Sequence, residues 1–116
     1  MKDFYTEFEL NGKKYTLCFD LNVMEAIQAE YKTIENWSNL TNGKDTGEAD
    51  SKAILFGFTE MLNEGIDIMN EKNGTDEKPL TRKQVGRILT QYGMENVASK
   101  LAETITRAGK EEEKNV

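Results

Sequence analysis

Three carboxylates of this 116-residue chain, Glu60, Glu64 and Asp67, are spaced by four and three residues. On a helix that spacing sets them along one side. Two carboxylates held in an apolar cleft are the acid and base of a hydrolase. Here Asn63 and Glu71 share their side, and no apolar wall is in sight to drive their pKa values apart. The pattern is that of a solvated helix face, and a carboxylate-dependent hydrolase is the lesser alternative. The chain has no histidine. That removes the imidazole base, the Ser-His and Cys-His nucleophiles, and the usual zinc and copper sites. Cys18 is the single cysteine, so neither a disulfide framework nor a Cys-based metal site is expected. Placed on the polar face of a hairpin, with Lys14 as its nearest cation, it reads as an inert thiol.

Other chemistry finds as little support. The segment Asn70 to Glu77, NEKNGTDE, offers oxygen ligands around Gly74. Setting that glycine sixth in an EF-hand loop puts Met69 where the first Asp is required. No glycine-rich loop leads from a strand into a helix, so phosphate and dinucleotide binding are not indicated. Arg82, Lys83 and Arg87 are too few, and lack interleaved aromatics, to indicate nucleic acid. No catalytic, cofactor or metal residues are therefore expected, and attention moves to surfaces.

The acids ride on the stretch around which the chain is organised, Ser51 to Glu71. Its residues Ile54, Leu55, Phe58, Met61, Leu62, Ile66, Ile68 and Met69 share one broad helical face. Phe56 falls among the acids instead. Before this helix, residues 4 to 19 read as a β-hairpin with Asn11-Gly12 as a type I′ turn. The register pairs Leu10 with Lys13, Phe8 with Tyr15, Thr6 with Leu17 and Phe4 with Phe19. The face carrying Phe4, Phe8, Leu10, Tyr15, Leu17 and Phe19 goes to the core, and Tyr5 beside Cys18, Glu7 and Glu9 face away. Asn22, with Glu25 at its N3 position, is the expected cap of a helix over 23 to 33, striped by Val23, Met24, Ile27 and Tyr31. A short helix over 34 to 40 brings Trp37 and Leu40 inward. TNGKDTGEAD, residues 41 to 50, reads as a mobile polar loop, and Asp50 or Ser51 caps the central helix, expected to span 51 to 72.

Thr81 with Gln84 forms a capping box after Pro79 and opens a helix over 82 to 92, which stops at Gly93. Its inward residues are Val85, Ile88, Leu89 and Tyr92, with Lys83 and Arg87 outward. A final helix over 94 to 108 carries Met94, Val97, Ala98, Leu101, Ile105 and Ala108 inward and ends at Gly109. Residues 110 to 116, KEEEKNV, are expected to be a disordered charged tail. The fold class expected is α+β: one domain over 1 to 109, an N-terminal β-hairpin packed on about four to five helices.

The formal net charge is −6, with 31% charged residues, which disfavours non-specific nucleic-acid binding. Residues 1 to 80 carry 8 Lys/Arg against 16 Asp/Glu, whereas residues 81 to 109 carry 5 against 2. An acidic body thus precedes a weakly basic helical region. The N-terminus lacks the apolar core of a signal peptide, and no run approaches the roughly 18 apolar residues of a membrane span. A reducing cytoplasm and no membrane association are expected.

Several features point to protein contact. Phe56 lies off the apolar stripe. Gly57, Gly65 and Gly86 sit inside helices at about 1 kcal/mol each relative to Ala, a cost often tied to close packing of another backbone. Met61 and Met69 supply adaptable apolar surface. The hairpin has an edge through which a second copy would pair. The candidate partner-binding residues are Phe56, Gly57, Trp37 and Tyr5. The alternative covers Phe56 with Trp37 or with the 41 to 50 loop and makes it core.

The order of elements then carries a resemblance. F-x-L-N-G-K-x-Y-x-L-x-F-D-L-N, over Phe8 to Asn22, runs a hairpin straight into the first helix, and L-T-x-x-x-V-G, over Leu80 to Gly86, opens a later helix with a capping box. With a polar loop, the apolar helix AILFGFTEML and a last amphipathic helix between and after them, the chain over most of residues 4 to 109 resembles the tail assembly chaperones of long-tailed bacteriophages and prophages. The resemblance implies a protein without catalytic residues. It implies binding of the tape-measure protein, a long helical polypeptide that sets tail length, and recruitment of tail-tube protein as the tube polymerises. It also implies action in the cytoplasm of the bacterial host, absence from the mature virion, and in many members a longer form made by frameshifting near the end of the short reading frame. A small adaptor or regulatory domain of a mobile element is the alternative function.

Overall fold

The computed structural model describes residues 5–114. Its fold is α+β, an antiparallel hairpin of β1 (Tyr5–Leu10) and β2 (Lys13–Cys18) followed by five helices. These are α1 (Leu21–Tyr31), α2 (Ile34–Asn42), α3 (Ser51–Asn73), α4 (Arg82–Tyr92) and α5 (Met94–Lys114). The hairpin register is the one its alternation predicts, from Tyr5 opposite Cys18 to Leu10 opposite Lys13. Asn11 and Gly12 take φ of 52° and 80°, the two positive values a type I′ turn demands. Phe4, expected opposite Phe19, lies outside the described residues.

Helix starts follow side-chain oxygens that accept orphan N–H groups. Thr33 caps α2, Asp50 caps α3, and Thr81 with Gln84 forms a complete capping box on α4. The first helix corrects the expectation. Asp20, not Asn22, is its N-cap, accepting from Val23 N at 3.2 Å, and α1 therefore begins two residues early. Asn22 is drawn elsewhere, donating from Nδ2 to Glu64 Oε2 on α3 at 2.8 Å. Gly43 and Gly74, both left-handed, end α2 and α3. The polar segment after α2 is tied back to that helix, with Lys44 N donating to Asn39 O and Asp50 N to Leu40 O. At the other end α5 passes Gly109 and continues to Lys114, into residues expected to be a disordered tail. One glycine costs a helix about 1 kcal/mol, too little to stop it when good helix formers such as Lys and Glu follow. Asn115 and Val116 lie outside the described residues.

Helix α3 is the axis of the core. Phe58, Met61 and Leu62 on it are fully buried, as are Val23 and Ile27 of α1, Val85 of α4 and Val97 of α5. Two asparagines of α3 clamp the connection to α4. Asn63 donates to Leu80 O (3.0 Å) and accepts from Leu80 N (2.7 Å). Asn70 accepts from Glu77 N and donates to Glu77 O, both at 3.0 Å. The start of α4 is thereby held beside α3.

The hairpin is covered from both sides. Phe8 stacks on Tyr92 of α4, ring centroids 4.4 Å apart. Thr6 Oγ1 lies 2.5 Å from Thr104 Oγ1 of α5, both residues buried. The Thr104 hydroxyl donates to Lys100 O at 2.8 Å, so its single proton is committed and Thr6 is the donor of the pair. On β2, helix α3 comes backbone to backbone, with Gly65 against the Thr16 carbonyl. That approach buries Cys18 completely, where the alternation of a one-sided hairpin had placed it on a polar face. The outer carbonyls of β1 are also engaged. Tyr5 O accepts from Arg107 Nη1 (3.2 Å) and Glu7 O from Lys100 Nζ (2.9 Å). Along the hairpin edges, two β1 carbonyls thus accept from side chains of α5, and α3 packs against β2 at Thr16. Among the described residues no helix is long and apolar enough to cross a membrane.

Candidate functional site

The acidic side of α3 meets the end of β2 and the start of α1. Glu64 accepts from Asn22 and lies against the Asp20 carboxyl. The hydrogen bond with Asp20 and partial burial push the Glu64 carboxyl up to about 7, the charges of Asp20 and Asp67 act in the same direction, and Asn22 opposes them. Cys18, two residues before Asp20, is shifted the same way. Burial, reinforced by Asp20 and Glu64, pushes its thiol far above the ordinary range, so the nucleophilic thiolate is suppressed. The Asn22–Glu64 hydrogen bond ties the start of α1 to α3. Cys18, Asp20 and Glu64 line none of the open grooves.

Among the described residues no three His, Cys, Asp or Glu side chains are grouped to hold a metal. The oxygen-rich segment after α3 is organised by its own bonds. Asn70 Oδ1 accepts from Thr75 Oγ1 (2.8 Å) and Glu77 N (3.0 Å), and Glu77 pairs with Lys13 across 3.2 Å.

The four residues singled out for partner contact separate into two kinds. Trp37 is fully buried, with Nε1 donating to Ala53 O at 2.8 Å. Gly57 lies beneath the indole, where a Cβ would overlap Trp37 Cζ2 and stand 2.9 Å from Cε2. Both are core. The glycine read as a seat for a foreign backbone is the socket of the chain's own tryptophan, and this corrects the surface reading for the pair. Phe56 is half-buried and meets Tyr31 of α1 edge-on, centroids 5.6 Å apart and planes at 72°. Part of its cover is therefore Tyr31 of α1. Tyr5 is half-buried on β1, against α5. The structure brings Trp37 and Gly57 together and leaves Tyr5 apart from them.

The open apolar surface lies where none of those four residues is. A groove of about 480 Å³ between α2 and α5 is lined by Ala49, Ile54, Met94, Val97, Leu101 and Ile105, with Ser38 and Thr41 at its rim. A second, of about 650 Å³, runs between α3 and α4 over Ile54, Leu55, Gly86, Leu89 and Met94, flanked by Lys83 and Arg87. Ile54 and Met94 line both, so the two grooves adjoin at these residues. Met94 is 56% exposed, although helical periodicity assigns it to the inward stripe of α5. Gly93, at φ 97°, turns the chain between α4 and α5 and leaves the first residue of α5 over the junction of the grooves. A large apolar side chain just after a helix-ending glycine is the only sequence signal for it, and periodicity outvotes that signal. A third groove, beside β2, has walls of Glu7, Lys13, Lys14 and Glu77 around Met69 and Ile66. No protein-family model, curated protein or solved structure matches the chain.

Proposed function

We propose that this chain is a tail assembly chaperone of the long-tailed phage type, a non-catalytic protein that binds the tape-measure protein, keeps it soluble and recruits tail-tube subunits. The observation that supports the reading is the pair of open grooves that adjoin at Ile54 and Met94. A long helical polypeptide presents different side chains at each turn, so a holder for it needs a shallow apolar trough with an adaptable methionine more than an enclosed pocket. The motif L-T-x-x-x-V-G, part of the resemblance, supplies Lys83 and Gly86 to that trough. On this reading the protein acts in the host cytoplasm and is left out of the finished virion.

Co-expression with the tape-measure protein of the same phage or prophage genome is the test. The chaperone reading expects a larger soluble fraction of that protein and its co-purification with this chain. Unchanged solubility with nothing co-purifying refutes it.

A further inference from the structure

The basic rim of the α3–α4 groove weakens the helix that carries it. Arg82 and Lys83 are the first two residues of α4, after the Thr81 cap. Cations at that end oppose the helix dipole, and α4 has no acidic residue in its first turn. Lys83 and Arg87 are also four residues apart, a like-charge spacing that is unfavourable on a helix. Neither has an ion-pair or hydrogen-bond partner among the described residues, in a chain with 21 Asp and Glu. Gly86 between them is equally unforced from within. A Cβ there would meet only Leu55 Cδ2, at an ordinary 3.6 Å. Gly57 and Gly65 are required by the chain's own packing, whereas Gly86 costs α4 helix propensity and keeps the groove floor clear.

We propose that the groove between α3 and α4 docks an amphipathic helix of a partner protein, its apolar stripe over Leu55, Gly86 and Met94 and its acidic flank against Lys83 and Arg87. The bare glycine lets a helix backbone approach closely, and acidic side chains relieve the repulsion between the two cations. The inference rests on the reading of this chain as a holder of helical polypeptide, and adds the seat and the charge of the segment held.

Two synthetic peptides of about 18 residues, five helical turns, test it. They share one leucine stripe and differ in carrying Glu or Lys on the flank. Each is titrated into the isotope-labelled full chain and followed by amide chemical shifts. The Glu peptide is expected to shift Leu55, Gly86, Arg87 and Met94, and to bind at least about tenfold more tightly than the Lys peptide, a gap that narrows with salt. Gly86→Leu, which projects into the groove from a position where a Cβ meets only Leu55 Cδ2, is expected to weaken the Glu peptide about tenfold or more with thermal stability retained. The double variant Lys83→Glu, Arg87→Glu is expected to reverse the preference. Binding of neither peptide, equal binding of both, or shifts centred elsewhere overturns the proposal. So does a concentration-dependent dimer of the chain that Gly86→Leu abolishes, which assigns the groove to a second copy. In the co-expression assay, Gly86→Leu solubilising the tape-measure protein as well as the wild type sinks the docking site and leaves the chaperone reading standing. Peptide docking as described, beside a wild type that leaves that protein insoluble, does the opposite.

Discussion

Alanine at Gly65 sets two opposed effects of a helical glycine against each other. Gaining a Cβ favours the helix by about 1 kcal/mol. The same Cβ would overlap the Thr16 carbonyl oxygen, with Thr16 C at 2.8 Å and Thr16 Cβ at 3.2 Å. These are strand atoms, held by the β1–β2 ladder, so relief requires α3 and β2 to part by about 1 Å. The neighbours of that contact, Leu17, Cys18, Met61 and Leu62, are all buried, and the parting loosens them too. Overpacking costs about 1–3 kcal/mol, and a backbone obstacle belongs at the upper end. The net expectation is a loss of about 2 kcal/mol, or a fall in Tm on the order of 10 °C for a domain of this size. Gly86→Ala meets only a side-chain methyl at 3.6 Å, so it should gain up to about 1 kcal/mol. Gly57→Ala should fall between the two, because the indole it strikes can tilt only by straining its bond to Ala53 O. Urea unfolding followed through Trp37, the single tryptophan and a buried one, measures all three. Gly65→Ala within about 0.5 kcal/mol of wild type, or Gly86→Ala less stable than wild type, refutes the packing argument.

The glycines also show why part of this molecule is legible in its sequence and part is not. Asn11-Gly12 and the Thr81–Gln84 box act over two to four residues, and turn type, strand register and the start of α4 follow from them locally. The N-cap of α1 does not. Asp20 and Asn22 are both capable caps, and the choice is made by Glu64, forty-two residues beyond Asn22, which draws the Asn22 side chain away. The burial of Cys18 has the same origin. Strand alternation assumes that a hairpin packs through one face, whereas α3 reaches the β2 backbone at Gly65 and closes over both Leu17 and Cys18. A glycine in a helix announces close approach without saying of what. For Gly57 it is the chain's own Trp37, for Gly65 its own strand, and for Gly86 nothing internal. The acidic face could be read as a set of carboxylates, but the upward push on the Glu64 carboxyl depends on a contact between β2–α1 and α3 that periodicity cannot express. The groove was hidden for a related reason. Leu55 and Met94 look like core in a helical wheel, yet Met94 is 56% exposed and both line an open trough beside the buried Ile54.

Three other expectations follow from the same contacts. Thr104→Val should cost about 1–3 kcal/mol, since it strands the buried Thr6 hydroxyl, and adding Thr6→Val should recover part of that loss; a double variant losing the sum of the two singles in a urea-unfolding cycle contradicts the pairing. Phe56→Ala should cost about 1–2 kcal/mol, below the roughly 3–5 of a fully buried phenylalanine, because the ring is half-buried and edge-on to Tyr31. A loss under about 0.5 kcal/mol would return Phe56 to the partner-facing surface. Glu64→Gln tests the upward push on the Glu64 carboxyl. The Glu64 carboxyl stands at about 7 in the folded chain, above its ordinary 4.5, so between those values the native state holds more protons than the unfolded one. Stability from this group is then greatest below about pH 4.5, declines as pH rises toward 7, and is lowest above it. Glutamine keeps an acceptor for Asn22, offers a donor to Asp20 and cannot ionise. The variant should therefore match the wild type near pH 4.5 and exceed it at pH 8 by on the order of 1 kcal/mol, once the solvent near this partly exposed side chain is allowed for. Wild-type stability that climbs from pH 5 to pH 8, with Glu64→Gln running parallel to it, would mean that the Glu64 carboxyl is not pushed up in the folded chain.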